Sequence, residues 1–173
     1  RSSVPEMSGV ESGLDFYTKG LNSLDDYDHQ DLKKPSSNDK NNSEQKESWQ
    51  LTYEEGRKVI ESMRFAETSS LFGNEKDNSF KSTLGAIYQT FGGKDVYPTL
   101  EEKGANLLYM LVKNHSFNDG NKRIAAALFI YFLERNNLLF DTNKIPIIDN
   151  NTLAAMTLMI ALSKPEEKEI KTI

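Results

Sequence analysis

The residues best suited to chemistry lie together in one run, HSFNDGNKR, at positions 115–123. The run contains an imidazole at His115, a carboxylate at Asp119 and a guanidinium at Arg123. Histidine can take a proton from a hydroxyl near neutral pH, Mg²⁺ prefers carboxylate and phosphate oxygens, and arginine binds phosphate through a planar fork of donors. The run therefore combines a base, a metal ligand and an anion-binding side chain.

The run leads directly into residues 124–133, which are apolar at almost every position. A helix tolerates apolar side chains on all sides only when protein surrounds it, so this segment is predicted to be the central helix of the domain. The first amides of a helix have no partner within it and attract anions. Gly120 stands at this helix start and has no Cβ, which would let a phosphate oxygen approach the main chain closely.

Helical spacing of apolar residues predicts further helices on both sides of the run. Thr52 and Glu55 have the spacing of a capping box, Thr99 is a second capping candidate, and Thr152 is predicted to open the last helix. The predicted helices cover about residues 52–67, 79–90, 99–114 and 152–164, with loops at 68–78 and 138–148. Residues 91–98 contain a Gly-Gly pair between residues of strand character, which predicts a small hairpin that acts as a mobile flap.

The N-terminal part of the chain is predicted to be separate from the functional domain. Residues 1–13 are rich in Ser, Gly and acidic side chains and are expected to lack fixed order. Residues 14–32 have a weak helical pattern that breaks at Gly20, and residues 33–48 form a polar linker without large apolar side chains. The predicted boundaries are an N-terminal segment over residues 1–48 and a domain over residues 49–173, with its core at 52–162.

Composition excludes several classes of protein. The 173 residues contain no cysteine, which excludes a disulfide framework and a thiolate metal cluster and fits a cytoplasmic location. The net charge of −5 gives no general attraction for nucleic acid or an anionic membrane. No apolar run approaches the roughly 20 residues that span a bilayer, so we expect no membrane partner. The first residue is Arg1 and not Met, which suggests a fragment or a processed product, although no secretory pattern follows it.

The run at 115–123 resembles the signature of the Fic/Doc family, whose full pattern is H-x-F-x-[DE]-G-N-G-R-x-x-R. The resemblance covers about residues 52–162. It implies an all-α Fic fold, in which a helical bundle surrounds a central buried helix and a small β-hairpin forms a flap. Members of this family transfer part of a nucleotide, most often AMP from ATP, to a hydroxyl side chain of a target protein.

The resemblance implies a role for each matching residue. His115 would deprotonate a Ser, Thr or Tyr hydroxyl of the target protein, Asp119 would hold Mg²⁺, and Phe117 would anchor the loop in the core. The nucleotide would be bound by Asn118, Gly120, Asn121, Lys122 and Arg123. The flap, which aligns the target by main-chain pairing, would consist of Phe91, Gly92, Gly93, Lys94, Asp95, Val96 and Tyr97. The implied function is a protein adenylyltransferase that uses ATP and Mg²⁺.

Two positions depart from the family pattern. Lys122 replaces a glycine, and Ala126 replaces the second arginine, which in family members binds the outer phosphates of ATP. The N-K-R form is closer to a Doc-like branch of the family, which transfers a phosphate instead of AMP. A Doc-like phosphotransferase with a toxin-antitoxin role is one alternative, and a non-catalytic Fic-fold domain that binds a partner is another. The inhibitory motif of the family, [ST]-x-x-x-E-[GN], has only an imperfect counterpart at Glu55-Gly56, so we assign no inhibition to it.

Ordinary structural roles explain several of these residues when each is taken alone. A histidine at a helix end is commonly a C-cap or a surface residue, and a single arginine such as Arg123 is commonly a salt-bridge partner. A tight turn alone would explain Asp119, Gly120 and Asn121, because these residue types are common in turns. His29 lies in the acidic stretch DDYDHQD, which is more typical of a solvated surface than of a metal site. The sequence does not identify the target protein. It also leaves open whether the chain forms a homo-oligomer or binds a regulatory partner.

Overall fold

The structure, a computed structural model, describes residues 14–27 and 48–163. The helices are α1 (Thr18–Tyr27), α2 (Tyr53–Arg64), α3 (Ser79–Ile87), α4 (Leu100–Asn114), α5 (Asn121–Arg135) and α6 (Asn150–Leu162), and the strands are β1 (Thr90–Phe91) and β2 (Lys94–Asp95). This mostly helical architecture with one small antiparallel hairpin confirms the predicted fold class. Residues 1–13, where disorder was expected, residues 28–31 of the acidic stretch, which include His29, and residues 33–47 of the linker lie outside the described residues.

Helix α5 is the centre of the bundle, as the apolar run predicted. Every residue from Arg123 to Leu133 is buried, and α5 contacts α1, α2, α4 and α6. The apolar side chains on all sides of α5 therefore bury their surface against four neighbours, which fixes the helix in place. Neither α5 nor any other described helix is both long enough and apolar enough to cross a membrane.

Three helices begin at a side chain that accepts a hydrogen bond from the first turn. Thr52 and Thr99 accept from the amides of Glu55 and Glu102 at 3.2 and 3.0 Å, which confirms both predicted caps. The prediction that Thr152 opens the last helix is wrong. The carboxylate of Asp149 accepts from the amide of Thr152 at 2.7 Å, so Asp149 is the cap and α6 begins at Asn150.

The predicted break of the helix at Gly20 is wrong, and α1 runs through this residue. The amide of Gly20 donates to the side-chain oxygen of Asn150 at 2.8 Å, and a Cβ at Gly20 would lie 3.0 Å from the Asn150 carbonyl oxygen. The glycine therefore lets α1 pack closely against the start of α6. Tyr17 and Leu24 are fully buried and belong to the common core, while the predicted domain boundary at 48/49 stays a prediction.

Two helices end three residues earlier than predicted. Helix α2 ends at Arg64 instead of Glu67, and α3 ends at Ile87 instead of Thr90. Residues after α3 form the hairpin instead: Thr90 and Phe91 pair with Asp95 and Lys94, respectively, around the two glycines, which have φ values of 60° and 78°. The left-handed backbone that this tight turn requires is one that glycine adopts without strain, which explains why the hairpin prediction is confirmed.

A hydrogen bond from the Tyr131 hydroxyl to Glu55 Oε2, 3.0 Å long, connects α5 to α2. Burial, followed by the hydrogen bond to Glu55, raises the pKa of Tyr131 to about 12. The folded state therefore holds the Tyr131 proton more tightly than the unfolded chain does. The contribution of this difference to the free energy of unfolding is fully present below pH 10. It is lost as the pH rises from about 10 to about 12.

We expect the Tyr131→Phe variant to lose less stability than the unaltered protein over this alkaline range, because phenylalanine has no proton to release. Urea unfolding at neutral pH and at about pH 11.5 would measure the difference. Some alkaline loss should remain, since burial also raises the pKa of Tyr17. Identical losses in the two proteins would contradict the assignment to Tyr131.

Candidate active site

A short loop, residues 115–120, connects α4 to α5 and carries the candidate catalytic residues. His115 ends α4 in a left-handed conformation, with φ 46° and ψ 52°, and is exposed to solvent. Ser116 and Phe117 point inward, and the Phe117 ring packs on Phe80 with ring centres 5.4 Å apart. The predicted anchoring of the loop by Phe117 is therefore present, and His115 lies on the solvent side of the loop.

The side chain of Asn121 closes this loop. The amide of Phe117 donates to Asn121 Oδ1 at 2.9 Å, and Asn121 Nδ2 donates to the Phe117 carbonyl oxygen at 2.8 Å. Both ends of the carboxamide are thus used by the main chain of one residue. The predicted contact of Asn121 with a nucleotide stays a prediction, and the structure adds a second role in which Asn121 fixes the shape of the loop.

Residues 72–76 form a second support for the loop, which the sequence predicted only as part of an irregular segment. The amide of Gly73 donates to the Asp119 carbonyl oxygen at 3.1 Å, and the amide of Asn118 donates to the Asn74 carbonyl oxygen at 2.8 Å. The amide of Lys76 donates to the Ser116 carbonyl oxygen at 2.9 Å. These main-chain bonds hold the loop along its length, and Gly73 adopts a left-handed backbone with φ 72°.

Position 120 requires a glycine for two reasons, its backbone conformation and the close approach of Phe72. Its φ of 86° lies in the left-handed region, and a Cβ at this position would come within 2.3 Å of the Phe72 ring. The sequence predicted that the missing Cβ would admit a phosphate oxygen. The structure shows that the same space is filled by Phe72, so the glycine allows the loop to close over this ring before α5 begins.

We expect Gly120→Ala to destabilise the fold by about 3 kcal/mol, since alanine is strained at this φ and its methyl group would overlap an aromatic ring. Gly85→Ala is the matched control, because Gly85 lies inside α3 and a Cβ there meets nothing within 4 Å. This control should gain about 0.5–1 kcal/mol from higher helix propensity. Urea unfolding of both variants measures the difference, and equal stabilities would refute the close packing on Phe72.

Arg123 is 3% exposed and forms ion pairs with carboxylates from three parts of the chain. Its Nη1 lies 2.5 Å from Glu67 Oε2, and its Nη2 lies 3.3 Å from Asp25 Oδ1 and 3.4 Å from Asp119 Oδ1. The guanidinium also lies over the Phe72 ring, 5.0 Å from its centre. The structure therefore brings Arg123 and Asp119 together as predicted, and adds Glu67 and Asp25, which the sequence did not identify. Phosphate binding by Arg123 stays a prediction.

The arrangement fits a magnesium ion that is bound mainly through a nucleotide. Within residues 14–27 and 48–163, no cluster of three or more His, Asp or Glu side chains could hold a metal ion. Mg²⁺ in nucleotide sites is commonly held by one or two carboxylates together with the phosphates, and Asp119, whose side chain is 20% exposed, can supply one carboxylate. Lys122 is half-buried in the first turn of α5, beside the amides that begin the helix.

The remaining predicted site residues are accessible to solvent. Position 126, where the family pattern has its second arginine, is not. Asn118 is exposed, and so are the flap residues from Phe91 to Val96, whereas Tyr97 is half-buried. Ala126 is fully buried inside the bundle. Glu55 contacts Tyr131, which lies roughly 12 Å beyond Arg123 along the axis of α5. The structure thus gives Glu55 a role in joining two helices.

Comparison with known proteins agrees with the predicted resemblance. Residues 50–133 match the Fic/DOC family. The chain is also 47% identical over 49 residues to the toxin Doc of Mycolicibacterium smegmatis (strain ATCC 700084 / mc(2)155). This match covers 28% of the chain and 38% of the toxin, so the chain spans well under half of that relative's length. No solved structure matches the chain.

Proposed function

We propose, since residues 50–133 match the Fic/DOC family, that the chain is a transferase that moves a phosphorus-containing group from ATP to a hydroxyl side chain of a target protein. The observation that carries the proposal is the loop at 115–120, which is fixed on two sides and places an exposed His115 and a half-buried Asp119 before a buried helix. The similarity to a toxin supports a target whose modification stops growth, and a neutralising partner protein.

In the proposed reaction His115 takes the proton from the target hydroxyl, and the hydroxyl oxygen attacks a phosphorus atom of ATP. The amides at the start of α5 and the ammonium of Lys122 bind the phosphate oxygens, whose negative charge they offset. Asp119 would hold Mg²⁺, which supplies positive charge to the phosphates when it is bound. Phosphate transfer needs little other chemistry from a protein beyond positioning and charge, which suits this small set of groups.

We propose that the transferred group is the terminal phosphate. In family members that transfer AMP, the second arginine of the signature binds the outer phosphates, and this chain has the fully buried Ala126 there. Arg123 is already paired with three carboxylates. The amides at the mouth of α5, with Lys122 beside them, suit one reacting phosphate. The target oxygen would form a bond to the γ-phosphorus, the bond from this phosphorus to the bridging oxygen would break, and ADP would leave.

Transfer of AMP is the second candidate, and Gly120 favours it. The order Asp119, Gly120, Asn121 is that of the common family signature, which most often accompanies AMP transfer. In this reaction the target oxygen would attack the α-phosphorus and pyrophosphate would leave. The two reactions place the same base and the same carboxylate at the reacting phosphate, so they differ only in the direction in which ATP lies.

An experiment with ATP labelled on either the α- or the γ-phosphate separates these reactions. The purified chain is incubated with each form and with a bacterial extract, such as that of Mycolicibacterium smegmatis, and labelled proteins are detected. We expect label from the γ-phosphate alone. Label from the α-phosphate alone would mean AMP transfer. No label from either form, with His115→Ala identical to the unaltered chain, would favour a non-catalytic domain that binds a partner.

A further inference from the structure

Lys103 connects the hairpin to helix α4. It lies in the first turns of α4 and is 5% exposed. Its Nζ lies 3.0 Å from Asp95 Oδ2 in β2 and donates a second hydrogen bond to the carbonyl oxygen of Tyr97. A lysine ammonium is rarely buried unless it is paired, so these two contacts explain why Lys103 lies inside the protein.

The hairpin has few other means of keeping its position. Each strand has only two residues, all of them exposed, and a Cβ at Gly92 or Gly93 would meet nothing within 4 Å. The main-chain hydrogen bond from the Val96 amide to the Gln89 carbonyl oxygen, 3.0 Å long, is internal to the hairpin. Since an isolated two-stranded hairpin is at best marginally stable in water, the contacts with Lys103 decide where this one lies.

The contact with Lys103 also decides which face of the hairpin is turned outward. Asp95 is paired with Thr90, and Lys94 is paired with Phe91. Side chains alternate between the two faces of a strand, so Asp95 and Lys94 point to opposite sides. The face that carries Asp95 is held against α4, and the other face presents Lys94 together with Phe91, which is 84% exposed.

Helix α4 connects this hairpin to the candidate catalytic base. Lys103 stands near the start of α4, and His115 is the residue that ends it, twelve positions later. An α-helix rises 1.5 Å per residue, so the two residues are roughly 18 Å apart along a rigid axis. Movement of the hairpin relative to Lys103 would therefore be movement relative to His115.

We propose that Lys103 is a positioning residue for the transfer reaction, which it serves by fixing the hairpin so that an extended target segment meets His115 in one register. This inference rests on the proposed function. Lys103 contacts neither the nucleotide nor the hydroxyl, and acts through Asp95 and the Tyr97 carbonyl. Its loss leaves the loop at 115–120 unchanged and makes the hairpin mobile, so that binding a target must first order the hairpin again.

The test uses Lys103→Met, which keeps most of the side-chain volume, and Asp95→Asn, which alters the 44% exposed partner and leaves the core untouched. Lys58→Met is the matched control, because Lys58 loses the same charge from a side chain that is 69% exposed on α2. Hydrogen exchange of the Val96 amide measures how firmly the hairpin is held. Transfer from γ-labelled ATP to labelled proteins in a dilution series of the Mycolicibacterium smegmatis extract measures the half-saturating target concentration, the apparent KM.

We expect exchange at Val96 to become about tenfold faster in both test variants, and not in Lys58→Met. The apparent KM for the target should rise about tenfold while kcat changes less than about twofold, since the base and the phosphate site are intact. Unchanged hydrogen exchange at Val96 would show that Lys103 does not hold the hairpin. Faster exchange with an unchanged KM would show that holding the hairpin does not position the target. No transfer by the unaltered chain from either γ- or α-labelled ATP would instead refute the proposed function, and the exchange result alone would then decide whether Lys103 holds the hairpin.

Discussion

Replacing His115 with asparagine is expected to lower the rate of transfer by about 10²- to 10⁴-fold, because asparagine cannot take the proton of the target hydroxyl. Asparagine is the better substitute here, since it tolerates the left-handed backbone that His115 adopts, with φ 46°. The side chain is exposed, so stability should change by less than about 0.5 kcal/mol. Initial rates of label transfer at saturating ATP would measure the loss.

Lys144→Asn is the control for this variant. Lys144 has a φ of 61° and is also exposed, so the same residue is introduced into the same backbone conformation in a distant part of the sequence. Its rate of transfer should equal that of the unaltered chain. A His115→Asn variant that keeps its full rate would exclude His115 as the base, whatever group is transferred.

Replacing Arg123 with methionine is expected to lower the free energy of unfolding by about 3 kcal/mol. The reason is that Glu67, Asp25 and Asp119 would lose their common positive partner, which is 3% exposed, and would repel one another. Arg135→Met is the matched control in the same helix. Arg135 is exposed and lies over the Trp49 ring at 5.1 Å, so its loss should cost no more than about 1 kcal/mol.

The same variant separates two roles for Arg123. Urea unfolding reports stability, and the KM for ATP reports phosphate binding. Stability equal to that of Arg135→Met, together with a KM for ATP that is raised about tenfold, would show that Arg123 acts as a phosphate ligand and that its ion pairs contribute little. A large loss of stability with a modest change in KM would show that Arg123 chiefly holds Asp119 and the neighbouring segments in place.

The parts of the fold that depend on local pattern could be predicted from the sequence. The apolar run at 124–133 required a buried helix, and Thr52 and Thr99 have cap chemistry that involves residues three positions away. Elements that depend on distant partners were missed. Helix α1 passes through Gly20, whose amide donates a hydrogen bond to the side chain of Asn150, far along the chain. The apolar periodicity of α1 could not predict that contact.

The same distinction applies to the candidate site. His115, Asp119 and Arg123 were identified together because the nine-residue run places them at short spacings. The support from residues 72–76 consists of main-chain hydrogen bonds to distant residues, so composition could not reveal it. The role of Gly120 was understood only in part, since the sequence could not show that Phe72 fills the space of its missing Cβ.

The most direct test of the proposed site is a titration of ¹⁵N-labelled protein with Mg-ATP, followed by NMR. We expect the largest changes in amide chemical shift at Gly120, Asn121, Lys122 and Arg123, where the first amides of α5 would meet the phosphates. The same changes should appear in His115→Asn, because this variant removes the base and leaves the phosphate site intact. Shifts that centre on another part of the chain, or no shifts at cellular ATP concentrations, would contradict nucleotide binding at the start of α5.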